Sequence, residues 1–243
     1  MKGTVAFFGT MAVAVLLGYM GWRWLDAVVV EAITVRGAVH ADSTAIVQLT
    51  GIELGSPMKA VSAELVADRV RRHPWVQGAS VSRQPTGSVL ISIRERVPVV
   101  LELDSHGRPS YFLDAEAFRM PVVYGKAAMD LPVVRRLTEA YHPVTPLKRA
   151  AVRDFVALLP DLKDVQDALL SEIHETKGGG IDIYTSASPA GQSIRVQLGS
   201  GGFGEKLERL QAFWMQSVLS HPATKYEWID LRFAGQVVVK ERV

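Results

Sequence analysis

Hydrophobic and polar positions divide the chain into one apolar stretch and a body of short alternating segments. Between Thr4 and Trp24 only Arg23 is charged, and Val5, Phe7, Phe8, Met11, Val13, Val15, Leu16, Leu17, Tyr19, Met20 and Trp22 carry the run. A helix of roughly 20 residues at about 1.5 Å rise spans about 30 Å, the thickness of a bilayer core. Trp22 and Trp24 fall at the far end, where amphipathic rings favour the interface. The rival reading, a cleaved signal peptide, needs a shorter apolar core and a small-x-small exit. The exit here is Tyr19-Met20-Gly21-Trp22-Arg23-Trp24, which is bulky and favours an uncleaved anchor. Lys2 and Arg23 oppose each other across the segment, so flanking charge decides little about orientation. A short N-terminus stays inside when the large body is translocated, which places that body outside the cytoplasm.

Behind the anchor the pattern predicts a strand from Val28 to Val35, closed by Gly37. A short helix follows, capped by Asp42 or Ser43, with Ala45, Ile46 and Leu49 on its apolar side and Gly51 as its stop. A second helix begins at Ser62, packs Leu65, Val66 and Val70 inward, and ends at His73 before Pro74. Trp75-Val76 leads into a strand through Ala79, Val81 and Arg83, and Pro85-Thr86-Gly87 turns the chain. The clearest alternation then puts Val89, Ile91, Ile93, Val97, Val99, Leu101 and Leu103 on one face and Ser92, Arg94, Arg96 and Glu102 on the other. Glu95 interrupts the apolar face, and Pro98 breaks or bends the strand. The unit reads β-α-α-β-β.

A second region opens near Asp104. Its predicted elements are a strand at Tyr111–Asp114, an extended Leu131–Val134, and a helix from Val144 to Leu159 with Leu147, Ala151, Phe155 and Leu158 inward. Two strands around Ile181–Ile183 and Ile194–Leu198 come next. A long helix presents Phe203, Leu207, Leu210, Phe213, Trp214, Ser217 and Val218 on one face. The last predicted strand runs from Trp228 to Val239, with Ile229, Leu231 and Phe233 on one side and Trp228, Asp230 and Arg232 on the other.

Composition narrows the chemistry. The 243 residues leave room for one large or two small domains after the anchor. A net charge of +2 gives no electrostatic footprint for nucleic acid, and Arg69, Arg71 and Arg72 read as a solvated helical face. Gly199-x-Gly201-x-x-Gly204, with Asp230 downstream, fits the dinucleotide fingerprint between a strand and a helix. The chain ends too soon afterwards to build further parallel units, so these glycines read as a connection, and Lys206 lacks the Ser or Thr of a Walker loop. The histidines His40, His73, His106, His142, His174 and His221 show no metal-ligand spacing, and His73, His142 and His221 precede prolines that mark turns or helix ends. The chain has no cysteine nucleophile and no Gly-x-Ser-x-Gly elbow. These residues predict no enzyme, no cofactor and no metal.

The β-α-α-β-β unit behind an anchor resembles a POTRA domain. Val35-Arg36-Gly37, the run from His73-Pro74-Trp75-Val76 to Val81, and Ile91-Ser92-Ile93-Arg94-Glu95-Arg96-Val97-Pro98-Val99 carry the likeness. Phe112-Leu113-Asp114, Leu131-Pro132-Val133 and Ile229-Asp230-Leu231-Arg232-Phe233 extend it in order along nearly the whole chain. Together these motifs resemble the FtsQ/DivIB family of bacterial cell-division proteins. The resemblance implies an α+β protein: a single transmembrane helix in residues 1–27, a POTRA domain in 28–98, and a mixed β-sheet domain with flanking helices in 99–243. It implies a non-enzymatic bitopic scaffold of the divisome in the inner membrane, single-pass type II, with its body in the periplasm and enriched at the septum. Its implied partners are FtsB-like and FtsL-like proteins and other divisome proteins, and its implied role is to help control septal peptidoglycan synthesis. The partner-binding residues it implies are Arg232, Phe233, Ala234, Gln236 and Val238. The alternative is a POTRA protein of outer-membrane assembly or secretion. Such proteins usually join a transmembrane barrel built of many strands of about ten residues, for which this chain lacks room.

Overall fold

The computed structural model describes residues 11–21, 27–123, 129–135, 137–162 and 169–242, and the chain divides into two compact units, Met1–Glu95 and Arg96–Val243. Residues 11–21 are helical and expose their apolar side chains. The rest of the predicted anchor, including Val5, Phe7, Phe8, Trp22 and Trp24, lies outside the described residues. Among the described residues no helix is long and apolar enough to cross a membrane.

The first unit is built as the alternation predicts, from β1 (Ala32–Arg36), α1 (Ser43–Thr50), α2 (Ala63–Val70), β2 (Val76–Arg83) and β3 (Ser88–Glu95). The strand order is β1-β3-β2, with β1 parallel and β2 antiparallel to β3. Asp42 caps α1 by accepting from Thr44 N–H at 2.9 Å, and Ser62 caps α2 by accepting from Leu65 N–H at 3.3 Å. Val89, Ile91 and Ile93 are buried, as are Ile46, Val66, Val70 and Trp75. Three expectations need correction. The first strand begins at Ala32, because Val28–Val30 pairs instead with the loop before Met58. Leu49 and Leu65 are exposed, and Thr50 and Ala67 take the inward positions, because each helix buries a stripe rotated from the predicted one. Helix α2 ends at Val70, with tight turns carrying the chain to Pro74.

Glu95 ends β3 and organises the approach to α1. Its carboxylate accepts from the N–H groups of Val39 at 2.8 Å, His40 at 2.9 Å and Ala41 at 2.8 Å, and bonds His40 Nδ1 at 2.9 Å. Burial pushes its pKa up, but these bonds outweigh burial and hold it below the ordinary carboxylate value. The His40 ring stacks on Trp75 at 4.8 Å between centroids. Gly37 cannot carry a side chain: its φ is +87°, and a Cβ would lie 2.2 Å from the Ile93 carbonyl oxygen.

Among the described residues the second unit is built on a nine-stranded mixed sheet, ordered β12-β11-β10-β9-β8-β7-β4-β5-β6. Its strands are β4 (Pro98–Leu103), β5 (Pro109–Asp114), β6 (Arg119–Pro121), β7 (Val133–Arg135), β8 (Leu170–Glu175), β9 (Ile181–Thr185), β10 (Arg195–Gly199), β11 (Tyr226–Asp230) and β12 (Val238–Glu241). Val134, Ile173, Ile183, Val196 and Ile229 align across successive strands. They are buried in one core with Val152, Phe155 and Val156 of α3 (Ala150–Val156) and with Phe203, Leu207 and Leu210 of α4 (Phe203–Phe213). Phe155 meets Phe203 edge-on at 5.4 Å, and a π turn, Trp214–Val218, extends α4 along the predicted face.

Here too the structure corrects the pattern. The long alternating run breaks between Glu95 and Pro98, as expected, but its two halves, β3 and β4, lie in different sheets. The side-chain period restarts, so Val97 is exposed and Leu101 and Leu103 are half-buried, while Glu102 is buried. Glu102 tolerates burial because Arg119 donates Nη2–H to it at 2.9 Å; burial still pushes its carboxyl up. The helix predicted from Val144 starts only at Ala150, because Leu147 N–H bonds the Ala117 carbonyl. Arg96 reaches Asp114 at 2.6 Å and lies 3.7 Å over the Phe118 ring. Asp114 in turn accepts from Glu116 N–H at 3.1 Å and Phe118 N–H at 2.8 Å, which fixes the β5–β6 turn.

Trp75→Ala removes a fully buried ring and the surface on which His40 stacks. It is expected to cost the first unit about 3–5 kcal/mol. Amide exchange in residues 28–95 of the full chain measures this, and unchanged protection would refute the packing.

Candidate partner-binding site

The end of the chain is a hairpin and not the single strand that its alternation predicts. Strands β11 and β12 pair antiparallel, with Ile229 opposite Val239 and Asp230 opposite Val238, and Gly235 at φ +67° lies in the connection. The alternation holds as far as Leu231: Ile229 and Leu231 are fully buried. It then fails at Phe233, which the continuous strand would place inward and which the turn leaves 53% exposed. Arg232, Ala234 and Gln236 are exposed with it, and Val238 is half-buried at the start of β12. All the residues that the sequence implies for partner binding therefore fall on one turn and the strand it leads into.

Two arginines hold this turn. Arg232 grips Asp230 through Nη2 at 2.6 Å and Nε at 2.9 Å, and its own N–H donates to the same carboxylate at 2.9 Å. The bond from Arg232 holds Asp230 below the ordinary carboxylate range, against the opposing push of burial. From α4, Arg209 donates to the carbonyls of Phe233 at 2.8 Å, Gln236 at 3.0 Å and Leu231 at 3.3 Å. Nothing in the spacing of α4 marked Arg209, since its partners lie more than a helix length away in sequence.

Strand β12 is the last in the sheet order, and among the described residues no strand covers its outer edge. Such an edge presents unpaired N–H and C=O groups to another extended chain. It is short, and Lys240, which pairs with Glu227 at 2.7 Å, places a charge on it. On the sheet face opposite the helices, Tyr184, Arg195, Trp228 and Lys240 stand in register from β9 to β12. Arg195 is tied to Asp182 at 2.6 Å.

The glycine-rich connection between β10 and α4 joins parallel strands, so its context matches the dinucleotide fingerprint more fully than the sequence indicated. Its chemistry does not match. Lys206 Nζ donates to the carbonyls of Leu198 at 2.6 Å, Gly201 at 2.7 Å and Ser200 at 3.2 Å. Carbonyl oxygens converge there, where a phosphate needs N–H groups. The acid required downstream, Asp230, is occupied by Arg232. Among the described residues no group of three His, Cys, Asp or Glu side chains could hold a metal.

Comparison with known proteins places both units. The FtsQ-type POTRA domain matches residues 28–96, and the family described as FtsQ/DivIB, C-terminal related, matches residues 98–240. The chain is 41% identical to the cell division protein FtsQ of Rhodothermus marinus over 222 residues, covering 91% of this chain and 81% of that one. It is 39% identical to the cell division protein FtsQ of Salinibacter ruber over 236 residues, covering 96% and 90%. It is 28% identical to that of a Geobacter species over 246 residues.

Asp230→Asn tests the hold on the turn. Because the folded carboxyl titrates below its unfolded value, its contribution is present above about pH 4 and is lost as pH falls through the lower folded value. The variant should lose about 1.5–3 kcal/mol at neutral pH, and less as the wild type is acidified. Chemical denaturation across that range measures both, and equal stabilities at neutral pH would show that the pair does not support the turn.

Proposed function

The chain belongs to the FtsQ/DivIB family of cell-division proteins, and we propose that it serves there as a non-enzymatic, bitopic membrane scaffold of the divisome. In this reading residues 1–27 are a single inner-membrane anchor, 28–98 the POTRA domain and 99–243 the partner-binding β domain. The body lies in the periplasm and gathers at the division septum. The β domain binds FtsB-type and FtsL-type proteins and so helps control septal peptidoglycan synthesis.

The observation that carries the reading is the terminal hairpin. Among the described residues no strand pairs with the outer edge of β12, and beside it stand an exposed aromatic, Phe233, and an exposed arginine, Arg232, the residue types that tend to dominate interface energy. A partner segment added along β12 would gain main-chain hydrogen bonds from the edge, while Arg232, Phe233, Ala234, Gln236 and Val238 would supply selectivity. Arg209 and Asp230 preorganise the turn, so binding need not order it.

The test is capture of the FtsB-type protein from the same genome by Phe233→Ala and Phe233→Glu variants, which leave the Arg232–Asp230 pair in place, after normal melting of each is shown. Both are expected to lose at least about tenfold in affinity, equivalent to about 1.4 kcal/mol. Wild-type capture by both folded variants would place the interface elsewhere.

A further inference from the structure

The POTRA unit has two ends, and its strand directions identify them. β1 and β3 run parallel, so Val28–Glu31, Gly87 and the loop before Met58 lie at one end, and Gly37, Val39 and Glu95 lie at the other. At the first end the backbone is stitched together: Gly55 N–H donates to the Val30 carbonyl at 2.7 Å, Met58 N–H to Val28 at 2.9 Å and Glu31 N–H to Gly87 at 2.7 Å. This is the end at which the chain arrives from the apolar segment. The seven-residue step from Gly21 to Val28 can span at most about 25 Å.

Exposed apolar side chains gather at this same end. Leu54, at the tip of the loop bonded to Val30, is 66% exposed, and Val29 beside it is 38% exposed. Leu65 is 50% exposed and lines a groove with Thr50, Ile52, Glu53, Ser56 and Val61, and Leu49, directly before that groove, is 36% exposed. At the opposite end the exposed apolar side chains among the described residues are Val39, at 63%, and Val97, two residues beyond Glu95, at 72%; neither is a leucine. A patch of leucines on an otherwise polar surface marks a contact.

We propose that this end of the POTRA unit is a membrane-contacting surface, with Leu54 entering the interfacial layer of the bilayer that holds the apolar segment. The occupant is a lipid surface and not another protein because of where the chain comes from: the tether delivers this end to within a short reach of the bilayer. Charge at this end is mixed, with Glu31, Glu53 and Glu64 against Lys59, Arg69 and Arg83, so the contact draws on apolar burial and not on attraction to anionic headgroups. It follows that zwitterionic lipid suffices. The inference rests on the anchor reading, and its consequence is orientation: the domain is held in a fixed pose on the membrane.

The chain has no cysteine, so single labels can be placed freely. Full-length Leu54→Cys, Leu65→Cys, Val39→Cys and Val13→Cys variants, each shown to melt normally, would carry an environment-sensitive fluorophore in phosphatidylcholine vesicles. The expected result is a blue shift and loss of emission at positions 54 and 65 when spin-labelled lipid is included, with neither at position 39. No quenching at 54 and 65, with position 13 quenched, would overturn the contact while sparing the anchor. Position 13 unquenched would overturn the anchor reading and the contact with it. Positions 54 and 65 shielded from aqueous iodide but untouched by spin-labelled lipid would mean that a second copy covers them, which also overturns the proposal.

Discussion

One peptide bond divides the work of holding this protein together. Glu95 and Arg96 are neighbours, yet each closes a different unit. Glu95 gathers the N–H groups of Val39, His40 and Ala41 and so fixes the start of α1 and the position of the His40 ring on Trp75. Arg96 locks Asp114, which in turn shapes the tight turn between β5 and β6, where Ala117 takes φ +61° without being glycine. Both charges are largely buried, and stripping the partner from such a group typically costs about 3–5 kcal/mol. Neither residue could be exchanged for an apolar one without opening a loop, which is the physical content of an acid followed by an arginine at this junction.

The second unit shows how a large sheet can end in a short strand on a rigid base. Its helices cover one face through the aligned row from Val134 to Ile229, so the fold's stability is invested far from β12. The terminal hairpin is added to that rigid base and is tied down by two polar anchors, Arg209 from α4 and Asp230 from β11. An edge secured in this way can accept a strand without reorganising the core, which is what the proposed scaffold role requires.

Much of this was legible in the sequence. The caps at Asp42 and Ser62, the β-α-α-β-β order, the inward stripe of α4 and the location of Arg232 to Val238 near one another all follow from local patterns. What local patterns miss is what depends on distant partners. The period-2 run through Val89 and Leu101 carried its break at Glu95 and Pro98 but not the change of sheet, because alternation records only that a face is buried and not against what. Glu102 looked solvent-facing because its partner, Arg119, lies across a hairpin. Phe233 looked inward because no glycine or proline precedes the point where the strand ends; it is Arg232 folding back on Asp230, with Arg209 behind, that turns the chain.

The central claim is that a partner adds a strand to β12. Amide hydrogen exchange on the full chain, with and without the periplasmic segment of the FtsB-type protein, tests it most directly. New protection confined to residues 238–242 and the adjoining turn, with the core strands β8 to β10 unchanged, is the predicted result. Protection that appears elsewhere while the β12 amides exchange as before would contradict it.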